Sequence, residues 1–426
     1  MGRRKITGPA GCRHFLLHST SPRREGQPAF ALCVERLSVE QNIALTWQLS
    51  EIHGWGLVGV HTALYLLDQG RPPLLLERPL LTTLRPENRD RLAPLLAGHE
   101  RIGAIADQVR GRVVAINGWT LLHALANGFN EGPTSARFRG SRNVGVIAFE
   151  DSRFDTATLE RARSYDKLVV HSTYNRDLLL EQGLPDVGCA FQGIDPGELP
   201  ALPPSGRFGD RFVIFSGGKL EFRKGQDIVL AAFRRFHERH PEALLVTAWH
   251  NHWPHTSGTI AESPLTPMPP MIGDNGMLRI VEWAMVHGVP PEGFVDMGFI
   301  PRHRIATIMA DCHAAVFPNR CEGATNLVAM EAMACGVPVI LSANTGHLDL
   351  IREGNCLPLR DQTPVVDPTG ARRGWGESAV EEVIEQLERV YTDRAAAQVR
   401  AETGRAFMCR ERSWRAFANS FIQAAV

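Results

Sequence analysis

The sequence predicts an α/β chain built from two Rossmann-like, doubly wound parallel-sheet domains. Three observations predict it. Short apolar runs alternate with helix-compatible segments along most of the 426 residues, the pattern of parallel strands joined by crossover helices. A stretch dense in proline and glycine, residues 196–208, interrupts that alternation, and a second series starts directly after it. Residues 317–341, FPNRCEGATNLVAMEAMACGVPVIL, read as strand end, loop, helix, tight turn and next strand. In that stretch residues 327–335 are good helix formers, with Leu327, Met330 and Ala334 at helical spacing. Gly336 falls where a left-handed cap belongs, and Pro338 stops continuation.

Bulk properties narrow the function classes. There are 46 basic and 46 acidic residues, so no global field draws in nucleic acid or membrane. No run approaches eighteen apolar residues, which argues against a membrane span. The eight cysteines contain no C-x-x-C pair, and several lie in apolar segments. Buried thiols in a reducing compartment are expected, rather than a disulfide framework or a zinc site.

Residues 1–30 differ from the rest: Arg3, Arg4, Lys5, Arg13, Arg23 and Arg24 precede the first acid, Glu25. A disordered basic tail is expected there. The first domain is placed at 31–195. Its first strand, residues 42–47, is followed by LSEIHGWGLVG (49–59) and a helix ending at Gly70. Gly54, Gly56 and Gly59 form G-x-G-x-x-G in a strand–loop–helix setting, and a second strand at 74–76 ends at Glu77. That is also where a dinucleotide fold places its ribose-binding acid. Residues 85–112 are arginine-rich and amphipathic, a solvated helical face that also suits peripheral membrane contact. Further strands are expected at 113–116, 143–149, 167–170 and 188–191.

After the 196–208 linker, the second domain (209–395) opens with a strand at 212–215, the loop SGGKLEFRKG (216–225) and a helix over 227–240. Strands follow at 243–248, 294–297, 314–317, 337–341 and 356–359, with helices at 302–310 and 378–390. Residues 396–426 are expected to be helical and to pack back on the first domain. Between 249 and 274 lie five prolines with His250, His252 and His255. No organised acidic or cysteine partner is near, so a mobile flap or acceptor-side loop is expected there and no metal site.

The chemistry gathers in the second domain. Lys219 and Lys224 flank the glycine loop after its first strand, the helix opening at Thr325, Asn326 and Leu327 offers backbone amides, and Glu322 and Glu331 accept hydrogen bonds from hydroxyls. Cations with helix amides suit a diphosphate, and carboxylates suit sugar or ribose hydroxyls. Together they describe a nucleotide-sugar site.

Residues 167–360 resemble the GT-B glycosyltransferases of the retaining group known as group 1, or family 4. FSGGKLEFRKG (215–225) is similar to that group's G-[RK]-L-x-x-x-K-G segment, and residues 322–340 to its E-x7-E signature with the E-A-M-A-C-G-x-P-V-I run. QGID (192–195) and KLVVHSTY (167–174) resemble the segments around its domain junction. The resemblance implies a GT-B fold whose two domains face a cleft. It implies sugar transfer from a nucleotide-diphosphate sugar, UDP- or GDP-linked, with retention of configuration and no tightly bound cofactor. Lys219 and Lys224 match the basic pair on the donor diphosphate, Glu331 the ribose acid and Glu322 the acid near the donor sugar; Gly56 sits in the family's glycine loop near the phosphates. The acceptor would be a glycan, lipid or small molecule, in the cytoplasm or at the inner face of a membrane. Two departures stand out. Eight residues rather than seven separate Glu322 from Glu331, and AFEDSR (148–153) stands where the family often has a histidine, so Glu150 or Asp151 takes that place. Two other readings stay open: a nicotinamide- or flavin-dependent oxidoreductase using Gly54–Gly59, and a non-catalytic sugar-nucleotide-binding protein.

Overall fold

A computed structural model describes residues 42–109 and 111–426, together with the backbone of two strands, β1 (Phe15–Ser19) and β2 (Phe30–Val34). The rest of the basic stretch expected to be disordered lies outside the described residues. The chain forms two compact units. One comprises Met1–His171, Asn175–Ala190 and Phe417–Val426, and the other Ser172–Tyr174 with Phe191–Ala416.

In the first unit β3 (Ile43–Leu45), β4 (Leu74–Leu75), β5 (Val114–Ala126), β7 (Phe138–Ile147), β8 (Lys167–Val170) and β9 (Val187–Cys189) are parallel, and the short β6 (Asn130–Glu131) runs antiparallel to β5. β5 is far longer than the four residues expected. Asn117-Gly118 reads as a turn in sequence. In the fold Gly118 has φ +79° and sits at a register shift between Ile116 and Thr120. The strand therefore bulges and continues: before the bulge it pairs with β2, after it with β3. Ala44, Leu76, Ile102, Val114, Ile116 and Leu121 form a core on this sheet.

The second unit holds a six-stranded parallel sheet: β10 (Phe212–Gly217), β11 (Ala243–Ala248), β12 (Phe294–Asp296), β13 (Ala314–Phe317), β14 (Val339–Ser342) and β15 (Leu357–Leu359). Their spatial order is β12-β11-β10-β13-β14-β15. Alternate residues of β10 enter opposite cores, as period-2 side chains must. Phe212 and Ile214 pack with the helices Gln226–His237 and Val380–Thr392. Val213 and Phe215 pack with the helices Arg302–Met309, Leu327–Ala334 and Arg394–Glu411. Both faces are covered, which is why the strands read as apolar runs rather than alternations.

The C-terminal helical tail breaks at Arg412–Ser413 into Arg394–Glu411 and Trp414–Ala425. The cause is a bridge to residue 194. The Ile194 amide donates to the Arg412 carbonyl at 2.7 Å, and Trp414 donates back to Ile194 at 3.0 Å. A Cβ on Gly193 would lie 2.5 Å from the Ser413 carbonyl carbon, so the glycine of QGID is required by this close approach. No helix among the described residues is long and apolar enough to cross a membrane.

Candidate functional site

The strand order of the second sheet reverses between β10 and β13, and ligands of open α/β sheets sit beyond the strand C-termini at such a switch point. The two loops leaving it are residues 218–225 and 318–326, the segments that carry Lys219, Lys224 and Glu322. They are locked together. Gly225 adopts φ +68°, and a Cβ there would lie 2.3 Å from the Pro318 carbonyl oxygen. The Arg320 amide donates to the Arg223 carbonyl at 2.7 Å. The wholly buried Arg320 guanidinium grips Asp227 at 2.6 Å and Glu377 at 2.7 Å, and donates to the Phe222 carbonyl at 2.7 Å.

At the junction Glu322 is enclosed by donors. Lys224 Nζ lies 2.5 Å from its Oε1, Arg223 Nη1 lies 3.2 Å from Oε2, and Asn319 Nδ2 donates to Oε1. The Glu322 backbone amide donates to Thr345 Oγ1 at 2.9 Å. Burial alone would raise its carboxyl, but Lys224 and Arg223 bring it down to about 2, so it is ionised. Burial and Arg223 push the Lys224 ammonium down against the pull of Glu322. Lys219 is more open; it pairs with Glu221 at 2.7 Å and sits 5.4 Å from the Trp253 ring centre. Glu221 also accepts from Arg223 at 2.9 Å.

From Glu322 the chain runs through loop and cap before the helix that carries Glu331 begins. The helix Leu327–Ala334 starts after Asn326, which holds a left-handed φ of +56° and caps Ala329 with its side chain. Thr325 is buried and donates to Met330 Sδ at 3.3 Å. Asn326 is held by His347. Ser342 Oγ donates its one proton to the Asn319 carbonyl, so His347 Nδ1 must donate to Ser342, at 2.8 Å. His347 Nε2 is then left to accept from Asn326 Nδ2 at 3.0 Å. Burial lowers the His347 pKa to about 4, which keeps it in this neutral form. Gly336 closes the helix with φ +79°, the left-handed cap that the sequence requires.

The loop after β14 supports the signature loop from beneath. A Cβ on Gly346 would lie 1.7 Å from the Ala324 carbonyl oxygen and 2.7 Å from that of Glu322. Gly346→Ala is therefore expected to displace residues 322–324 and cost about 1–3 kcal/mol or more, read as a lower unfolding midpoint. Ser172 Oγ holds the same loop by donating to the Gly323 carbonyl at 2.7 Å.

Glu331 takes other partners: Arg302 Nη1 donates to its Oε1 at 2.8 Å, and Arg302 Nε lies 3.3 Å from Glu198 Oε2. Lys224 and Glu322 thus meet directly, Lys219 joins them through Glu221 and Arg223, and Glu331 belongs to a separate ion pair. Arg223, Glu221, Asn319, His347 and Arg302 were not singled out from sequence. For Arg302 a signal existed: a cation opening a helix opposes the helix dipole and calls for an anion.

In the first unit, the Gly56 amide donates to His53 Nδ1 at 3.0 Å, and a Cβ on Gly56 would clash with Ser50, 2.1 Å from its Oγ. The glycine loop is thus a self-capped helix start. Glu77 accepts from Thr134. The Glu150 amide donates to Asn127 Oδ1 at 3.1 Å, and Asp151 accepts from the Arg153 amide at 2.9 Å. His250 and His252 form an aromatic cluster with Phe299, at ring distances of 5.8 and 5.7 Å. No group of three His, Cys, Asp or Glu among the described residues is arranged to hold a metal.

Comparison with known proteins agrees with this architecture. Residues 300–421 match the family model described as family 4 glycosyltransferase in conflict systems. No curated protein matches the chain. Among solved structures, Anabaena HepE in complex with UDP and glucose aligns with TM-score 0.60 at 14% identity, over 90% of this chain and 98% of that one. Sucrose-phosphate synthase from Thermosynechococcus elongatus aligns with TM-score 0.58 at 16% identity over the same shares. A trehalose-6-phosphate synthase aligns with TM-score 0.57 at 14% identity, again over 90% and 98%. The chain has the GT-B fold of these glycosyltransferases and matches family 4 over residues 300–421.

Proposed function

We propose that this protein transfers a sugar from a nucleotide-diphosphate sugar to an acceptor with retention of configuration. The observation that carries the proposal is the meeting of Lys224, Arg223 and Glu322 at the switch point of the second sheet. Support comes from the similar HepE structures, which are complexes with UDP and with UDP-glucose. The similar trehalose-6-phosphate synthase belongs to a study of glycosyl transfer with retention.

In this reading Lys219 and Lys224 stabilise the charge that grows on the departing diphosphate, an electrostatic contribution made where water is scarce. Lys224 reaches the diphosphate by leaving Glu322, and the carboxylate so released accepts from donor-sugar hydroxyls while Asn319 and Arg223 hold it. Glu331 receives the ribose, and the amides opening the helix at Leu327 face the phosphates. The acceptor attacks on the face from which the diphosphate departs, and a phosphate oxygen takes its proton. No carboxylate nucleophile is needed. UDP or GDP is the expected carrier, and the acceptor is a glycan, a lipid or a small molecule.

A thermal-shift panel of UDP, GDP, ADP and their sugars, with NAD as control, tests the reading. A ligand at one hundred times its dissociation constant adds about 2.7 kcal/mol to the folded state. Stabilisation by one nucleoside diphosphate and not by NAD is expected. A response to NAD alone would favour the oxidoreductase reading, and no response to any would remove the donor site.

A further inference from the structure

The helix Arg302–Met309 opens on a cation that its own dipole disfavours. The Arg302 side chain is nevertheless only 13% exposed, and its two partners, Glu198 and Glu331, are 12% and 8% exposed. The three residues come from three segments: the stretch preceding β10, the start of the helix Arg302–Met309, and the helix Leu327–Ala334. Behind them lies apolar core, including Leu199, Ile305 and Met330. Well-packed apolar residues would hold such a junction at least as firmly, because burying charges carries a desolvation cost that pairing barely offsets. Folding alone thus gives little reason for the trio. Arg302 engages Glu331 through Oε1 alone, and Oε2 accepts from no described residue. Burial pushes the Glu331 carboxyl up, and Arg302 opposes that shift.

We propose that Arg302 is the positioning residue of the ribose acid: it holds Glu331 Oε1 so that Oε2 receives the ribose hydroxyls, while Glu198 fixes the guanidinium. This rests on the donor-site reading and adds to it a selectivity for ribonucleotides that depends on the charge of Arg302. The sign follows from the electrostatics. An ionised Glu331 accepts strongly from the ribose, and a protonated one does so weakly. Taking away the neighbouring cation raises the pH at which the carboxyl protonates. The pH below which ribose preference disappears must therefore move up.

The test is calorimetric titration, from pH 5.5 to 8.5, of whichever of UDP, GDP and ADP binds the wild-type protein, with its 2′-deoxy and 3′-deoxy counterparts. Wild type is expected to prefer the ribonucleotide by about tenfold or more, the scale of one charge-assisted hydrogen bond. Arg302→Met is expected to lose that preference at a higher pH than wild type and to regain it at the alkaline end of the range, with deoxynucleotide affinity unchanged. Arg302→Lys, which keeps the charge, should hold the wild-type midpoint. Glu198→Gln, which removes the competing anion, should move the midpoint down and serves if the methionine variant does not fold. Equal weakening of ribo- and deoxynucleotides, or an unmoved midpoint in Arg302→Met and Glu198→Gln, overturns the proposal. Failure of every diphosphate to bind wild type is a different result, and it removes the donor site itself.

Discussion

Lys224→Ala is expected to lower sugar transfer by about 10²- to 10³-fold, the range seen when one preorganised donor to a developing anion is removed. It should also lower stability, which a freely solvated lysine would not do. Lys224 is buried against Glu322 at 2.5 Å, so truncation leaves that carboxylate with Arg223 and Asn319 alone. Breaking one side of a buried pair costs about 3–5 kcal/mol at full burial. The two losses separate in a double variant. Lys224→Met with Glu322→Gln removes both charges, retains much of the volume, and should recover most of the unfolding midpoint. Transfer should stay at the level of the single variant or below. Recovery of transfer together with stability would show that neither the Lys224 nor the Glu322 charge takes part in transfer. Loss of transfer with full stability in the double variant is the outcome that the donor-site reading requires.

Much of the second unit could be read from the sequence because its local signals agree with its tertiary use. Strands buried on both faces are apolar runs, and the left-handed cap at Gly336 is a glycine followed by a proline. The first unit shows the limit. Asn117-Gly118 carries a strong turn signal, yet the strand exchanges one neighbour for another there and needs a bulge rather than an end. The break at Arg412–Ser413 has no local signal. It follows from a bridge to Ile194, more than two hundred residues away in sequence. The candidate site divides in the same way. Residue types and spacing pointed to Lys219, Lys224, Glu322 and Glu331. They did not reveal that Lys224 and Glu322 pair directly, or that Glu331 turns to Arg302. Those are contacts across 98 and 29 residues, set by which loops leave adjacent strands.

Arg320 governs that adjacency, and its removal is expected to give a large loss of stability. Its side chain and that of Asp227 are wholly buried, joined by a fork of two hydrogen bonds at 2.9 and 2.6 Å. One loop supplies the cation, and the helix after β10 supplies the anion. Glu377 adds a second carboxylate at 2.7 Å, and Ser263 donates to Asp227 at 2.5 Å. Arg320→Ala strands Asp227 without its cation, which should cost about 3–5 kcal/mol. In a domain of this size that lowers the unfolding midpoint by roughly 6–20 °C. Arg320→Lys should recover only part of the loss, since a single ammonium cannot reproduce the planar fork. A paired apolar replacement, Arg320→Met with Asp227→Leu, discriminates between stability and geometry. It leaves no unpaired charge and should restore most of the midpoint. The hydrogen bonds from the guanidinium to the Phe222 carbonyl and to Glu377 would be gone, so residues 218–225 and 318–326 would no longer be held in register. Nucleotide binding should therefore stay weak in a protein that melts almost normally. A double variant that binds and turns over donor like wild type would confine Arg320 to folding.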